Sequence, residues 1–229
     1  MYYMNKIINF EGLPGVGKTT VINIVKSKLI DAGIKCVCID DLLYYDGDRV
    51  GKKLFNIMNY KNDVFFRLDY PYIETFLSQA IRYNIVYESL KATGVYDVIL
   101  EDRGLDTYYA YILARIQKEH GKCYEETIDW LETLNKFCKV EYTCTVLLEG
   151  DINQCKRRYE YRNEKNLSEN DWTYLSDVND AYNFLAQRYN RFFRVTVNAK
   201  DKFQVGNEVL EKIVLLIGGV KSEMQSDQP

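Results

Sequence analysis

Apolar positions along this chain recur with two periods. Short apolar or alternating runs at Lys6 to Phe10, Lys35 to Ile39, Asp97 to Glu101, Tyr142 to Leu148 and Arg194 to Asn198 read as strands. Between them, apolar residues three and four apart predict helices. Val21, Ile24, Val25 and Leu29 mark the first, which stops at Gly33; Phe76, Leu77, Ile81, Ile85 and Leu90 mark another from Ile73 to Thr93, closed by Gly94. Leu105 to Glu119, Tyr124 to Lys139, Trp172 to Phe193 and Asn207 to Ile217 are predicted as further helices. Strands alternating with helices predict an α/β fold. Leu42 to Tyr72 is less regular, with aromatic and basic residues mixed, and no internal repeat or Pro-rich linker interrupts the chain. The expectation is one domain over residues 1–219 and a polar, frayed tail over 220–229.

Composition narrows the partners. At 229 residues the chain is long enough for one substantial domain, and a net charge of −3 offers no global basic surface, so a polymeric nucleic-acid partner is not expected. The six cysteines include no C-x-x-C pair, and the one histidine is His120, which argues against structural zinc and a His-dependent nucleophilic triad. Cys36 and Cys38 would share one strand face as small apolar residues. No leader-like start and no segment near membrane-spanning length is apparent, so a soluble cytoplasmic protein without membrane contact is expected.

The most informative stretch lies between the first strand and the first helix. Gly12-Leu13-Pro14-Gly15-Val16-Gly17-Lys18-Thr19-Thr20 is a G-x-x-x-x-G-K-T sequence. Glycines let successive backbone N–H groups converge on a phosphate, Lys18 adds a point charge, and Thr19 can place a hydroxyl on magnesium. The following helix turns its positive end toward the anion.

Other candidates sit where strands end. Asp40 and Asp41 follow the second strand and could serve a substrate hydroxyl, or simply be a solvated loop or helix cap. Asp102 and Arg103 follow the third; beside a phosphate loop, the carboxylate is placed to orient magnesium through water and the guanidinium to clamp a second phosphate. Phe66 and Arg67 in the irregular stretch could touch a ligand, with ordinary packing the alternative. Beyond the fourth strand, Asn153 to Asn163 is strongly basic, with Arg158 and Arg162 on one helical face. Acidic and amide residues then reach Asp171, an expected exposed, mobile segment. Residues 153–171 read either as a solvated surface or as a lid whose arginines close over phosphate.

Taken together, these parts resemble the thymidylate kinase and deoxynucleoside kinase group of P-loop phosphotransferases. The resemblance runs from Asn5 to Ile217 and rests on Gly12 to Thr20, Asp102-Arg103, Arg158-x-x-x-Arg162 and Asn198-Ala199-Lys200-Asp201. It implies a three-layer sandwich, a five-stranded parallel sheet flanked by helices with a lid over ATP. It further implies Asp102 assisting magnesium, Arg103, Arg82 and Tyr111 on the acceptor side, Arg158 and Arg162 as lid arginines, and Ala199, Lys200 and Asp201 near adenine. The sequence departs from the thymidylate kinase pattern at Gly104, where an aromatic residue is usual, at Ile112, where a glutamine is usual, and at Asp40-Asp41-Leu42, where an acidic-Arg-Pro sequence is usual. The carboxylates at 40 and 41 are closer to the deoxynucleoside kinases.

The leading expectation is transfer of a γ-phosphoryl group from ATP, with Mg2+, to a nucleoside monophosphate such as dTMP. Such a transfer asks the protein to position two substrates and neutralise charge. A deoxynucleoside or other small-molecule kinase, with Asp40 or Asp41 as base, and a non-catalytic ATP-binding switch remain as alternatives, and a homodimer is left open.

Overall fold

Strand β1 (Lys6–Glu11) is the middle of a five-stranded sheet in which every neighbour runs parallel to it. The computed structural model describes residues 6–39, 49–91, 95–136, 141–164 and 166–225. β2 (Cys36–Ile39) and β3 (Val98–Asp102) lie on one side of β1, and β4 (Cys144–Glu149) and β5 (Phe192–Thr196) on the other, in the order β2-β3-β1-β4-β5. Consecutive strands β3 and β4 thus flank β1. The loops after β1, β3 and β4 emerge together at the carboxyl edge, where open α/β sheets leave a crevice for ligands.

Three layers follow from the pleat. Ile8 and Phe10 of β1 are fully buried on the face covered by α1 (Lys18–Asp31) and α8 (Lys202–Gln225), packing with Val25, Leu29, Val209 and Ile213. On the other face lie α4 (Leu105–His120), α5 (Tyr124–Asn135) and α7 (Glu169–Arg188), which share a core of Leu113, Ile128, Leu131, Leu175, Val178 and Leu185. Helix α3 (Pro71–Lys91) packs against α4 and starts on a proline, whose fixed φ suits a first turn. The α/β expectation is met, with all five strands in the predicted order.

Local differences have physical reasons. Helix α2 (Arg49–Met58) falls in the stretch read as irregular: Val50, Leu54, Phe55 and Met58 do recur at helical spacing, but Gly51 weakens the pattern. The helix predicted through Phe193 ends at Arg188, because Phe192 and Phe193 pair with Thr145 and Val146 of β4. There, the aromatic pair Phe192-Phe193 and the β-branched pair Val195-Thr196 favour strand. Helix α8 starts at Lys202, where Asp201 accepts from the N–H groups of Phe203 and Gln204 at 2.7 and 2.9 Å, and it continues past Ile217 to Gln225.

The described residues of 153–171 are mostly exposed, as read from the sequence, and named contacts start the helices there. Residues 153–163 lie in α6 (Ile152–Asn163), capped by Asp151, whose carboxylate accepts from Gln154 N at 2.9 Å. Ser168 and Asp171 form a reciprocal capping box that starts α7 before Trp172. Asp171 is half-buried and pairs with Arg67, which Asp63 also holds. Arg67 is a strap between the 63–68 segment and the start of α7.

Candidate active site

Residues 12–17 leave β1 and turn sharply into α1, and Gly12, Gly15 and Gly17 all take positive φ values of 132°, 81° and 108°. Gly15 is fixed by a neighbour as well: a Cβ there would sit 2.2 Å from the carbonyl oxygen of Cys155, so α6 rests directly on the loop. Val16 is buried in the core, with its N–H bonded to Leu13 O at 3.3 Å. Helix α1 has no side-chain cap at Gly17 and no acidic residue in its first turn. Its positive end opens toward the cavity. The Lys18 side chain is buried and donates to the carbonyls of Gly12 at 2.8 Å and Leu13 at 3.1 Å.

Across the loop stands the end of β3. Thr19 Oγ1 donates to Asp102 Oδ2 at 2.8 Å. The other carboxylate oxygen, Oδ1, is buried without a hydrogen-bond partner among the described residues. A buried polar atom in that state is costly unless something completes it. A hydroxyl and a carboxylate at the mouth of a phosphate-sized loop form a hard-oxygen donor set, suited to a Mg2+ ion that draws its other ligands from water and phosphate. No group of three or more His, Cys, Asp or Glu side chains among the described residues forms a closed protein cage.

The loop opens into a cavity of about 240 Å³. Gly15, Gly17, Lys18, Thr19 and Thr20 line one end, and Asp102 and Arg103 the flank. The lining also includes an aromatic chamber of Phe65, Phe66, Tyr108, Tyr111 and Tyr174, with Tyr159 of α6 beside the loop. Arg103 takes a positive φ of 69°, and its guanidinium donates to Tyr111 at 3.3 Å. Arg158 and Arg162 are both exposed on α6; Arg162 lines the cavity beside Tyr159, and Arg158, one turn earlier, does not.

The remaining expected residues are placed as follows. Arg82 lines the cavity, yet its guanidinium is buried and donates to Glu101 at 2.9 Å and to the Tyr142 hydroxyl. Gly104, where the resemblance leads one to expect an aromatic residue, packs against that same cluster. A Cβ on it would meet Glu101 Oε2 and the Tyr142 hydroxyl at 2.7 Å and Asn9 Cγ at 2.8 Å. Ala199, Lys200 and Asp201 do not line the cavity: Ala199 is a positive-φ turn residue, Lys200 pairs with Glu208, and Asp201 caps α8. Asp40 and Asp41 lie outside the described residues.

Sequence reasoning missed a polar cluster beneath the loop. Glu11, the last residue of β1, is fully buried and accepts from Asn9 Nδ2 at 2.7 Å, Gly104 N at 3.0 Å, Thr107 N at 2.9 Å, Tyr182 OH at 2.9 Å and the Thr107 hydroxyl. Burial first, then the nearby Asp106 carboxylate, push its pKa from 4.5 up to about 7. Asp106 is itself raised by burial, and accepts from Thr145 Oγ1 at 2.8 Å and from Arg191. The signal was present as Asn9 and Glu11 within an otherwise apolar strand, since buried polar side chains demand partners.

The chain is similar to several curated proteins. It is 23% identical over 211 residues to the thymidylate kinase of Thermoanaerobacter sp. (strain X514), covering 91% of this chain and 97% of that protein. It is 26% identical over 177 residues to a probable thymidylate kinase of Methanobrevibacter smithii, covering 76% and 81%. Against the thymidylate kinase of Caldanaerobacter subterraneus subsp. tengcongensis it is 30% identical over 107 residues, covering 46% and 48%. No family model matches the chain.

Proposed function

We propose that this protein transfers the γ-phosphoryl group of ATP to a nucleoside monophosphate, with dTMP as the first acceptor to try. The observation that carries the reading is the single cavity in which the glycine loop, Asp102, Arg103 and Arg162 meet an aromatic chamber. The donor end is a ring of backbone turns and one lysine, suited to a polyphosphate. The acceptor end is apolar and flat-sided, suited to a base. Similarity to proteins named thymidylate kinase over most of the chain supports the same conclusion.

Phosphoryl transfer needs two substrates held in line and the spreading negative charge neutralised. On this reading the loop amides and Lys18 hold the donor phosphates, the Lys18 ammonium leaving the carbonyls of Gly12 and Leu13 for phosphate oxygens. Thr19 and Asp102 would hold Mg2+, which when bound neutralises charge on the donor phosphates. Arg103 orients the acceptor phosphate, and Arg162 supplies positive charge from the α6 side. Arg82 acts from behind, keeping Glu101 and Tyr142 fixed under the turn that bears Asp102 and Arg103.

The test is a panel: purified protein, ATP, Mg2+ and nucleosides or nucleoside monophosphates, with ADP release followed for each. Release dependent on dTMP supports the proposal. Consumption of thymidine but not dTMP would move the acceptor to a nucleoside, and tight ATP binding without acceptor-dependent release would leave only a nucleotide switch.

A further inference from the structure

We infer that Glu11 is a positioning residue that ties the glycine loop to the turn carrying Asp102 and Arg103. The inference rests on the phosphotransfer reading above. Glu11 is the residue immediately before Gly12, so its backbone belongs to the donor side of the cavity. Its carboxylate reaches the other side. Oε1 accepts from Gly104 N at 3.0 Å and Thr107 N at 2.9 Å, two donors at the start of α4 directly after Arg103. Oε2 accepts from Tyr182 on α7 at 2.9 Å and from the Thr107 hydroxyl, which closes the cluster from the third side.

The arrangement acts through hydrogen bonds, and the two oxygens have different partners. Oε1 faces Asn9 Nδ2 and the two backbone N–H groups, which can only donate; Gly104 N is shared with Asn9 Oδ1 at 2.9 Å and Asn9 Nδ2 with Asp106, so Thr107 N is the donor that rests on Glu11 most directly. Oε2 faces two hydroxyls, which rotate and can accept as readily as donate. A glutamine at 11 can therefore satisfy every partner, with its oxygen toward the amides and its NH2 toward the hydroxyls. An aspartate keeps the charge but withdraws the carboxylate by one methylene. Reach and charge are thus separable in two variants of similar size.

Glu11 touches none of the groups assigned to substrate, so its effect is on geometry: when the tether is lost, Asp102 and Arg103 drift while the glycine loop keeps its own turns. Displacement of reacting groups by about 1 Å costs up to about 100-fold in rate.

The experiment compares wild type, Glu11→Gln and Glu11→Asp as full chains. With ATP, Mg2+ and the acceptor found in the panel, Glu11→Asp is expected to lose about tenfold or more in kcat with KM for ATP changed less than about threefold, and Glu11→Gln to stay within about threefold in both. An active Glu11→Asp beside an inactive Glu11→Gln overturns the inference, because charge rather than reach would then matter. Amide hydrogen exchange over residues 103–107 is read in the same three proteins, whether or not an acceptor is found. Exchange about tenfold faster in Glu11→Asp alone supports the tether, and equal exchange in all three refutes it. A wild type without acceptor-dependent ADP release together with exchange sensitive to Glu11→Asp would sink the phosphotransfer reading and leave the tether standing.

Discussion

Thr19 Oγ1 donates to Asp102 Oδ2 at 2.8 Å, joining the first turn of α1 to the last residue of β3 across 83 positions of sequence. Asp102 lines the cavity, and its Oδ1 is buried with no hydrogen-bond partner among the described residues.

That geometry predicts the outcome of Asp102→Asn. The amide preserves shape and an acceptor for Thr19 but removes the negative charge, so turnover falls about 100-fold and the Mg2+ concentration for half-maximal rate rises. Unfolding stability changes by less than about 1 kcal/mol. A magnesium titration of kcat checks both; unaltered magnesium dependence would detach Asp102 from the metal.

Lys18→Ala removes the one cation inside the loop. Lys18 itself lines the cavity and donates to backbone carbonyls of the loop, so turnover is expected to fall about 100- to 1,000-fold, far more than stability. The measurement is ADP release beside a thermal melt of the same sample. Full turnover in a folded Lys18→Ala protein contradicts the assignment.

Arg162 and Arg158 share a face of α6, yet only Arg162 is among the cavity-lining residues. Arg162→Ala is therefore expected to cost about tenfold or more in kcat, and Arg158→Ala less than about threefold. Equal losses would mean that both arginines reach the transferring group.

Gly15→Ala tests the contact between the loop and α6. A Cβ would be 2.2 Å from Cys155 O at a φ of 81°, which combines a clash with left-handed backbone strain. The expected destabilisation is about 2–4 kcal/mol, from the sum of those two effects, with weaker ATP binding. Denaturant unfolding and nucleotide titration provide the check, and an unchanged unfolding midpoint would mean that loop and helix are not in contact.

Glu11 gives a pH dependence with a defined sign. Its folded pKa lies at about 7, above the ordinary 4.5, so the folded protein holds a proton that the unfolded chain releases. Glu11's contribution is most favourable below about pH 4.5 and is lost as pH rises toward 7. Glu11→Gln lacks that loss. Relative to wild type it should gain about 1–3 kcal/mol between pH 5 and pH 8, read by urea unfolding at each pH. A difference that does not move with pH would place the charge elsewhere in the cluster of Glu11, Asp106 and Arg191.

By itself the sequence determined the five strands in order and the helices other than α2, the glycine loop with Lys18 and Thr19, and the placing of Asp102 and Arg103 at a strand end. These are local properties: hydrophobic period, turn chemistry and neighbouring residues act over a few positions, and the chain spells them out directly. Tertiary structure alone decided which charges face the cavity and which are spent on one another. Arg82 is given to Glu101, and Arg67 to Asp63 and Asp171; Arg162 lines the cavity while Arg158 does not. It also placed Glu11 against Thr107 and Tyr182, 96 and 171 residues away. Periodicity records whether a side chain is buried but not what it is buried against. A buried polar group is satisfied only by a particular partner in space, and that partner is fixed when the layers of the fold close together.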